Sequence, residues 1–261
     1  MKICVCIKHV PDPNVPMTVD SATKRLVRDP RQSILDPADE YGIETAVKLV
    51  EEQGGEVVAV CMGPQAAEDG IRRAMAMGVE RAILVTDDAL AGSDALGTAR
   101  VLAAVLSLES PDLVITAIES TDAYSGMVPG ALAEMLGLPQ VTFARSASVD
   151  GDKVTVTRDT ETGHQTIEAS LPALLSVTAS IAEPRYPSFK GLMAAKRKQI
   201  DTRDLASLGI DPSTVGEAGA KERVVNLEQV RQEKQGKIVT DDGSGDSVDE
   251  IVAFLKQIQL V

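Results

Sequence analysis

Up to about Val141 the apolar residues fall into short runs separated by helical stripes. Lys2 to Val10 is a nearly continuous apolar run rich in β-branched residues, the pattern of a strand buried on both faces. Residues 11–36, rich in Pro, Asp, Asn and Ser, form a long excursion in which Met17-Thr18-Val19 and Arg25-Leu26-Val27 are placed to pair as a small hairpin. A helix is predicted from Asp36-Pro37, since proline suits a first helical position. Ile43, Ala46, Val47 and Val50 then recur on one helical face, and Gly54-Gly55 stops it. The alternation repeats, with strands over Glu56 to Cys61, Arg81 to Thr86 and Asp112 to Ile118. Helical stripes follow each, at Ala67/Ile71/Ala74/Met75, Val101/Ala104/Val105/Leu108 and Val128/Ala131/Leu132/Met135. Strands alternating with helices predict an open, mainly parallel, Rossmann-like α/β sheet with helices on both faces and right-handed crossovers.

Beyond Val141 the pattern changes. Val154-Thr155-Val156 and Thr166 to Ala169 alternate around a turn-prone stretch from Thr160 to Gly163, which predicts an added antiparallel hairpin. Leu174 to Thr178 reads as another apolar strand. After Ala182 the chain turns basic, with Arg185, Lys190, Lys196, Arg197 and Lys198 accompanied only by Glu183. Residues 201–246 are polar and weakly periodic. Ser247-Val248-Asp249-Glu250 has the spacing of a capping box and opens a helix with Val248, Ile251, Val252, Leu255 and Ile258 on one face. The expected organisation is an α/β domain over 1–200 and a C-terminal arm ending in a helix over 201–261. Such an amphipathic helix must bury its face, either on a partner subunit or back on its own domain.

Composition narrows the chemistry. A formal net charge of −13 over 261 residues argues against nucleic-acid binding, and 2% aromatics leave little for base stacking. No apolar run approaches the roughly 18–20 residues of a membrane helix. The short run after Met1-Lys2 has no cleavage site of a secretory signal, which favours a bacterial cytoplasm over a mitochondrial matrix. Three cysteines (Cys4, Cys6, Cys61) without CxxC spacing and two histidines (His9, His164) do not assemble a standard zinc site. There is no G-x-G-x-x-G after the first strand, no P-loop and no G-x-S-x-G elbow, so no catalytic machinery is evident. Glu51-Glu52 and Asp87-Asp88 read as solvated charge rather than acid–base pairs.

In open parallel sheets ligands lie beyond the carboxyl ends of the strands, near the point where strand order reverses. Candidate positions are Lys8 to Asp12, Met62-Gly63-Pro64 and Ala117 to Val128. In the last, Ser120, Thr121, Ser125 and Gly126 could offer hydroxyls and backbone N–H groups to an anion at a helix start, and Asp122 could accept from a ribose or base donor. Capping of the helix by the same residues is the plainer role. His9, ending the first strand, is a candidate for lining a cleft.

Val156, Arg158, Glu161, Thr162, Gly163, Gln165, Ile167, Pro172, Leu174, Leu175 and Ser176 stand in a spacing that resembles the signature of the electron transfer flavoprotein β subunit, departing at Thr162. Glu183-Pro184-Arg185-Tyr186-Pro187-Ser188-Phe189-Lys190-Gly191-Leu192-Met193, followed by Ala194 to Lys198, is similar to that family's partner-recognition loop. Val5 to Pro11-Asp12 and Asp36-Pro37 with Asp39-Glu40 also match, so the resemblance spans the chain.

It implies a non-catalytic electron-carrier subunit in a heterodimer whose α subunit holds most of the FAD, while this chain carries a structural AMP. Electrons would pass from flavin dehydrogenases of acyl-CoA dehydrogenase type to a quinone oxidoreductase or another acceptor. The implied AMP pocket comprises Cys6, Asp36, Asp39, Met62, Ala117, Ser120, Thr121, Asp122, Ser125, Gly126, Met127 and Val128. The implied partner surface comprises Arg185, Tyr186, Phe189, Lys190, Leu192 and Met193, with Phe189 where the family usually has an anchoring leucine. Members with a second FAD in the pocket, which bifurcate electrons, carry a glutamine that Thr121 to Pro129 lacks, which favours AMP here. Pro13 stands where some members place a flavin-touching tyrosine. An ATP-binding stress-type module lacks its glycine–serine phosphate loop here, and an ATP pyrophosphatase-like enzyme has only Gly92-Ser93-Asp94, after the third strand rather than the first, in its favour.

Overall fold

The structure, a computed structural model, describes residues 1–227 and 236–261; positions 228–235 of the expected arm lie outside the described residues. The chain forms two compact units, Met1–Val225 and Asn226–Val261.

The first unit starts with β1 (Lys2–Ile7). The excursion holds β2 (His9–Pro11), the hairpin of β3 (Val19–Asp20) and β4 (Arg25–Leu26), and β5 (Ser33–Leu35), which pairs antiparallel with β2. Then follow α1 (Pro37–Gln53), β6 (Glu56–Met62), α2 (Glu68–Met77), β7 (Arg81–Val85), α3 (Ala95–Glu109), β8 (Leu113–Ala117) and α4 (Val128–Leu136). An antiparallel section, β9 (Gln140–Asp150), β10 (Lys153–Thr160) and β11 (Gly163–Ser170), precedes β12 (Ala173–Val177), α5 (Phe189–Ala195), β13 (Asp201–Arg203) and the short α6 (Gly216–Gly219). In the second unit α7 spans Asp246–Gln257.

The main sheet has nine strands in the order β11-β10-β9-β12-β8-β1-β6-β7-β13. The chain moves from β1 outward through β6 and β7, then returns to place β8 on the other side of β1, with all these pairings parallel. Strand order therefore reverses between β1 and β8, and the loops after these two strands flank the crevice where an open sheet binds ligands.

Alternate β1 residues feed opposite core layers. Ile3, Val5 and Ile7 pack with residues of α1 and α2, while Cys4 and Cys6 pack with residues of α3 and α4. The expected α/β architecture, hairpin and helices are all present. All three cysteines are free and buried, and burial pushes the Cys4 and Cys61 thiols up to about 12. Such thiols stay protonated and are poor nucleophiles.

Several elements differ from the sequence pattern. The first strand ends at Ile7, because His9 to Pro11 turn away to pair with β5. β9 was not signalled, and β13 extends the sheet edge within the polar stretch beyond residue 200 by parallel pairing with β7. The expected capping box does not form: α7 begins at Asp246 behind Gly245 in the left-handed region, with no side-chain cap, and the Ser247 hydroxyl donates to Asp241 instead. Among the described residues no helix is long and apolar enough to cross a membrane.

Candidate functional site

β1 leaves the core at Lys8, and this residue organises the crevice. Its backbone N–H donates to Asp39 Oδ2 at 2.6 Å, and its ammonium reaches across the switch point to Asp122 Oδ1 at 2.7 Å and Ser120 Oγ at 3.2 Å. Asp36 caps α1 by accepting from the Ala38 N–H at 3.0 Å, and its second oxygen accepts from the Thr121 N–H at 2.8 Å. One carboxylate thus serves as helix cap and as tie between α1 and the β8–α4 loop.

Three carboxyl groups are buried here. Asp36 is fully buried, Asp39 is 5% exposed, and the side chain of Asp122 has no exposure. Burial and the neighbouring Asp36 charge push the Asp39 carboxyl well above its ordinary value, against the Lys8 N–H that partly offsets them. Asp122 is also pushed up by burial, but Lys8, Arg28 and the Ser120 hydroxyl outweigh this and hold it below the usual carboxylate range. Arg28, from the excursion, lies with Nη1 2.6 Å from Asp122 Oδ2. Lys8 lies in the strand-end candidate stretch Lys8 to Asp12, where no sequence pattern singles it out, and none marks Arg28.

Of the expected pocket residues, the structure gathers Asp36, Asp39, Ser120, Thr121 and Asp122 into one hydrogen-bonded cluster. Ala117 ends β8, while Cys6, Met62 and Val128 sit together in the core layer under α3 and α4. Ser125, Gly126 and Met127 are exposed on the second half of the loop, outside that cluster, and Gly126 takes a positive φ of 61°. They lead into α4, whose N-cap Met127 offers no side-chain cap and whose Pro129 has no N–H. The plainer expectation, that Ser and Thr cap α4, is therefore not met. The Thr121 hydroxyl is buried without a partner. The loop thus carries a partnerless buried hydroxyl and ends in an uncapped helix N-terminus, a type of site that suits an anion.

His9 presses its ring against Gly70 of α2, and both its nitrogens are buried without partners. Desolvation lowers its pKa, against Asp69. Gly92-Ser93-Asp94 is a structural lock: Asp94 caps α3 through the Gly97 N–H at 2.7 Å and accepts from Lys221 N at 2.6 Å, while Ser93 Oγ accepts from Gly216 N at 2.9 Å. No group of three or more His, Cys, Asp or Glu among the described residues is placed to hold a metal.

A second surface lies on α5 and the residues before it. Tyr186 is 88% exposed and Phe189 80%, with Leu192 and Met193 also exposed. Lys190 is exposed beside them. Arg185 is held by carboxylates of α1, with Nε 2.8 Å from Glu44 and Nη1 2.6 Å from Glu51. The Arg73 guanidinium lies 5.3 Å from the centre of the Tyr186 ring and bonds Glu40 at 3.0 Å. Ser188 caps α5, and Arg72 holds its far end through the carbonyls of Ala195, at 2.8 Å, and Lys198.

The electron transfer flavoprotein domain family matches residues 23–208. The electron transfer flavoprotein subunit beta of Mycobacterium tuberculosis is 39% identical over 259 residues, covering 97% of both chains. The subunit of the same name from Thermoanaerobacterium thermosaccharolyticum is 36% identical over 241 residues, or 92% of each chain. The caffeyl-CoA reductase-Etf complex subunit CarD of Acetobacterium woodii is 30% identical over 263 residues, spanning all of both chains.

Proposed function

The chain belongs to the electron transfer flavoprotein family as a β subunit, and from that premise we propose that it is the AMP-binding half of a heterodimeric electron carrier. Electron transfer is the family's role. The α subunit holds most of the FAD, which supplies the redox chemistry when bound. This chain packs against α, encloses part of the flavin, and holds AMP without catalysing a reaction alone.

In the nucleotide pocket, the α4 N-terminus and the exposed Ser125-Gly126-Met127 backbone take the phosphate. The Thr121 hydroxyl takes a sugar or base partner. Cys6, Met62, Ala117 and Val128 wall the crevice, and Asp36, Asp39 and Asp122 hold its backbone in place through Thr121, Lys8 and Arg28. The observation that supports this assignment is that one switch-point loop carries both a partnerless buried hydroxyl, on Thr121, and, at its end, an α4 N-terminus with no side-chain cap.

The exposed face of Tyr186, Phe189, Leu192 and Met193 docks a flavin dehydrogenase of acyl-CoA dehydrogenase type. One buried apolar anchor, Phe189, is enough for a small transient interface, which suits a carrier that must leave after each transfer. A quinone oxidoreductase or another acceptor then receives the electrons. The working location is the bacterial cytoplasm.

Co-expression with a candidate α subunit, followed by denaturation and identification of the released nucleotides, tests the pocket. One FAD and one AMP per heterodimer is the expected result. Two FAD and no AMP would assign the pocket to a second flavin and the complex to electron bifurcation. A colourless preparation that does not bind α would overturn the carrier assignment.

A further inference from the structure

Arg185 begins the docking segment, and a cation beside an exposed apolar anchor suggests a direct contact with an acidic partner. The geometry points elsewhere. Its backbone N–H donates to Glu44 Oε2 at 3.0 Å, Nε to the same oxygen at 2.8 Å, and Nη2 to Glu44 Oε1 at 3.1 Å. Nη1 and Nη2 donate to the two oxygens of Glu51 at 2.6 and 3.0 Å. Four of the five guanidinium N–H donors are engaged by carboxylates seven positions apart on one face of α1, and the Glu44 side chain is only 3% exposed. Both carboxyl groups are held below their ordinary values: Glu44 because the Arg185 bonds outweigh its burial, Glu51 through the Arg185 bonds first. Only one Nη1 N–H of the fork is left over for a partner.

What the fork does hold is the start of a helix that cannot hold itself. α5 has 7 residues, well short of a length that is stable alone in water. Its large apolar side chains are exposed and only Ala195 is buried, so its position comes largely from behind: Arg185 on α1, Gly191 against the Ala76 carbonyl of α2, and Arg72 at its far end.

We infer that Arg185 is a positioning residue, which the Glu44–Glu51 pair of α1 clamps so that Tyr186 to Met193 are presented to the electron donor in one fixed pose. This rests on the assignment of that segment as the docking surface. A preorganised segment loses less entropy when it binds, so the clamp acts on affinity for the partner rather than on the rate of transfer within the complex.

The test uses the FAD-loaded heterodimer as variable substrate of an acyl-CoA dehydrogenase, in three variants: Glu44→Gln, Arg185→Lys and Phe189→Ala. Glu44 is buried within the chain, so a rise in KM in Glu44→Gln reports the clamp rather than a lost contact of its own. Glu44→Gln and Arg185→Lys should each raise KM about five- to tenfold with kcat within about twofold, as expected for lost preorganisation. FAD content and reduction by dithionite should stay unchanged, and amide exchange over 186–195 should quicken. An unchanged KM or unchanged amide exchange in Glu44→Gln overturns the inference; combined with a raised KM in Arg185→Lys, it would mean that Arg185 meets the partner directly. Phe189→Ala separates the premise, because an unchanged KM there would remove the docking assignment itself. Thermal melting of each heterodimer identifies a variant that fails to fold, and Arg185→Lys, which keeps the charge and loses only the fork, provides the gentler perturbation.

Discussion

A carboxyl group buried beside a second carboxyl, as Asp39 is beside Asp36, binds its proton more tightly in the folded chain than in the unfolded one. The sign follows. With the folded pKa raised, Asp39 costs no stability below its ordinary value of 3.8, and the cost grows as pH rises from there through the folded value. Asp39→Asn removes that cost while keeping an acceptor for the Lys8 N–H. It should raise Tm at neutral pH by about 2–4 °C, the size of a gain near 1 kcal/mol in a chain of this length, with the gain vanishing in melts below that pH range. Asp122 has the opposite sign. Its carboxyl is held below 3.8, so its contribution is present above that value and is lost as pH falls through the folded pKa. Asp122→Ala leaves Lys8 and Arg28 without their shared anion. It should lower Tm at pH 7 by several degrees and reduce retained AMP in the purified heterodimer, measured as nucleotide per FAD. At this scale Asp122 was legible from its loop after an apolar strand and Asp36 as the residue before a proline-started helix, while Asp39, and the pocket role of Asp36, came only with the family resemblance. Their partners were less so. Lys8 is visible only as the point where the apolar run stops, and Arg28 lies in a polar excursion where no local pattern distinguishes it from Arg25 or Arg31.

Elements were legible where burial is periodic and obscure where pairing alone defines them. The parallel strands are continuous apolar runs and the helices have clean stripes, so the alternating half of the fold was readable. β9 was not, for a specific reason. Phe143 adopts a φ of 59°, and the registers of β9 with both β12 and β10 shift beside it, so its buried residues Val141, Ala144 and Val149 fall out of a two-residue period. β13 is the polar triplet Asp-Thr-Arg. Its place comes from pairing with β7 and from Arg203, which bonds Glu109 at 3.1 Å beside Arg81 at 2.6 Å. No hydropathy pattern carries that information. α5 has the same character, since its sequence is almost all contact and little periodicity. A Cβ on Gly191 would lie 2.6 Å from the Ala76 carbonyl oxygen, a backbone atom that cannot step aside. Gly191→Val should therefore lift α5 off α2, slow reduction by the dehydrogenase about tenfold or more through lost preorganisation, and leave FAD content intact. Stopped-flow reduction of the heterodimer, with nucleotide analysis of the same sample, checks both halves.

At the scale of the whole molecule the chain forms two compact units. Met1–Val225 contains the nine-stranded sheet, the switch-point crevice and the segment proposed to dock the donor. Asn226–Val261 contains α7, on which Val248 (60% exposed), Ile251 (52%) and Phe254 (57%) remain open. Twelve residues make a marginal helix in water, and an apolar face of this kind needs a surface to cover it. We assign that surface to the α subunit. The two candidate coverings separate in one experiment, a chain ended after Val225 and co-expressed with α. If α7 docks on α, the shortened chain should keep its own Tm and circular dichroism while its affinity for α falls at least about tenfold, since burying even one or two such side chains contributes that much. If α7 instead covers its own first unit, the shortened chain should melt lower and expose new apolar surface to a dye, with α binding retained. The first outcome would make the last segment an assembly arm and leave nucleotide and donor recognition entirely to the sheet domain.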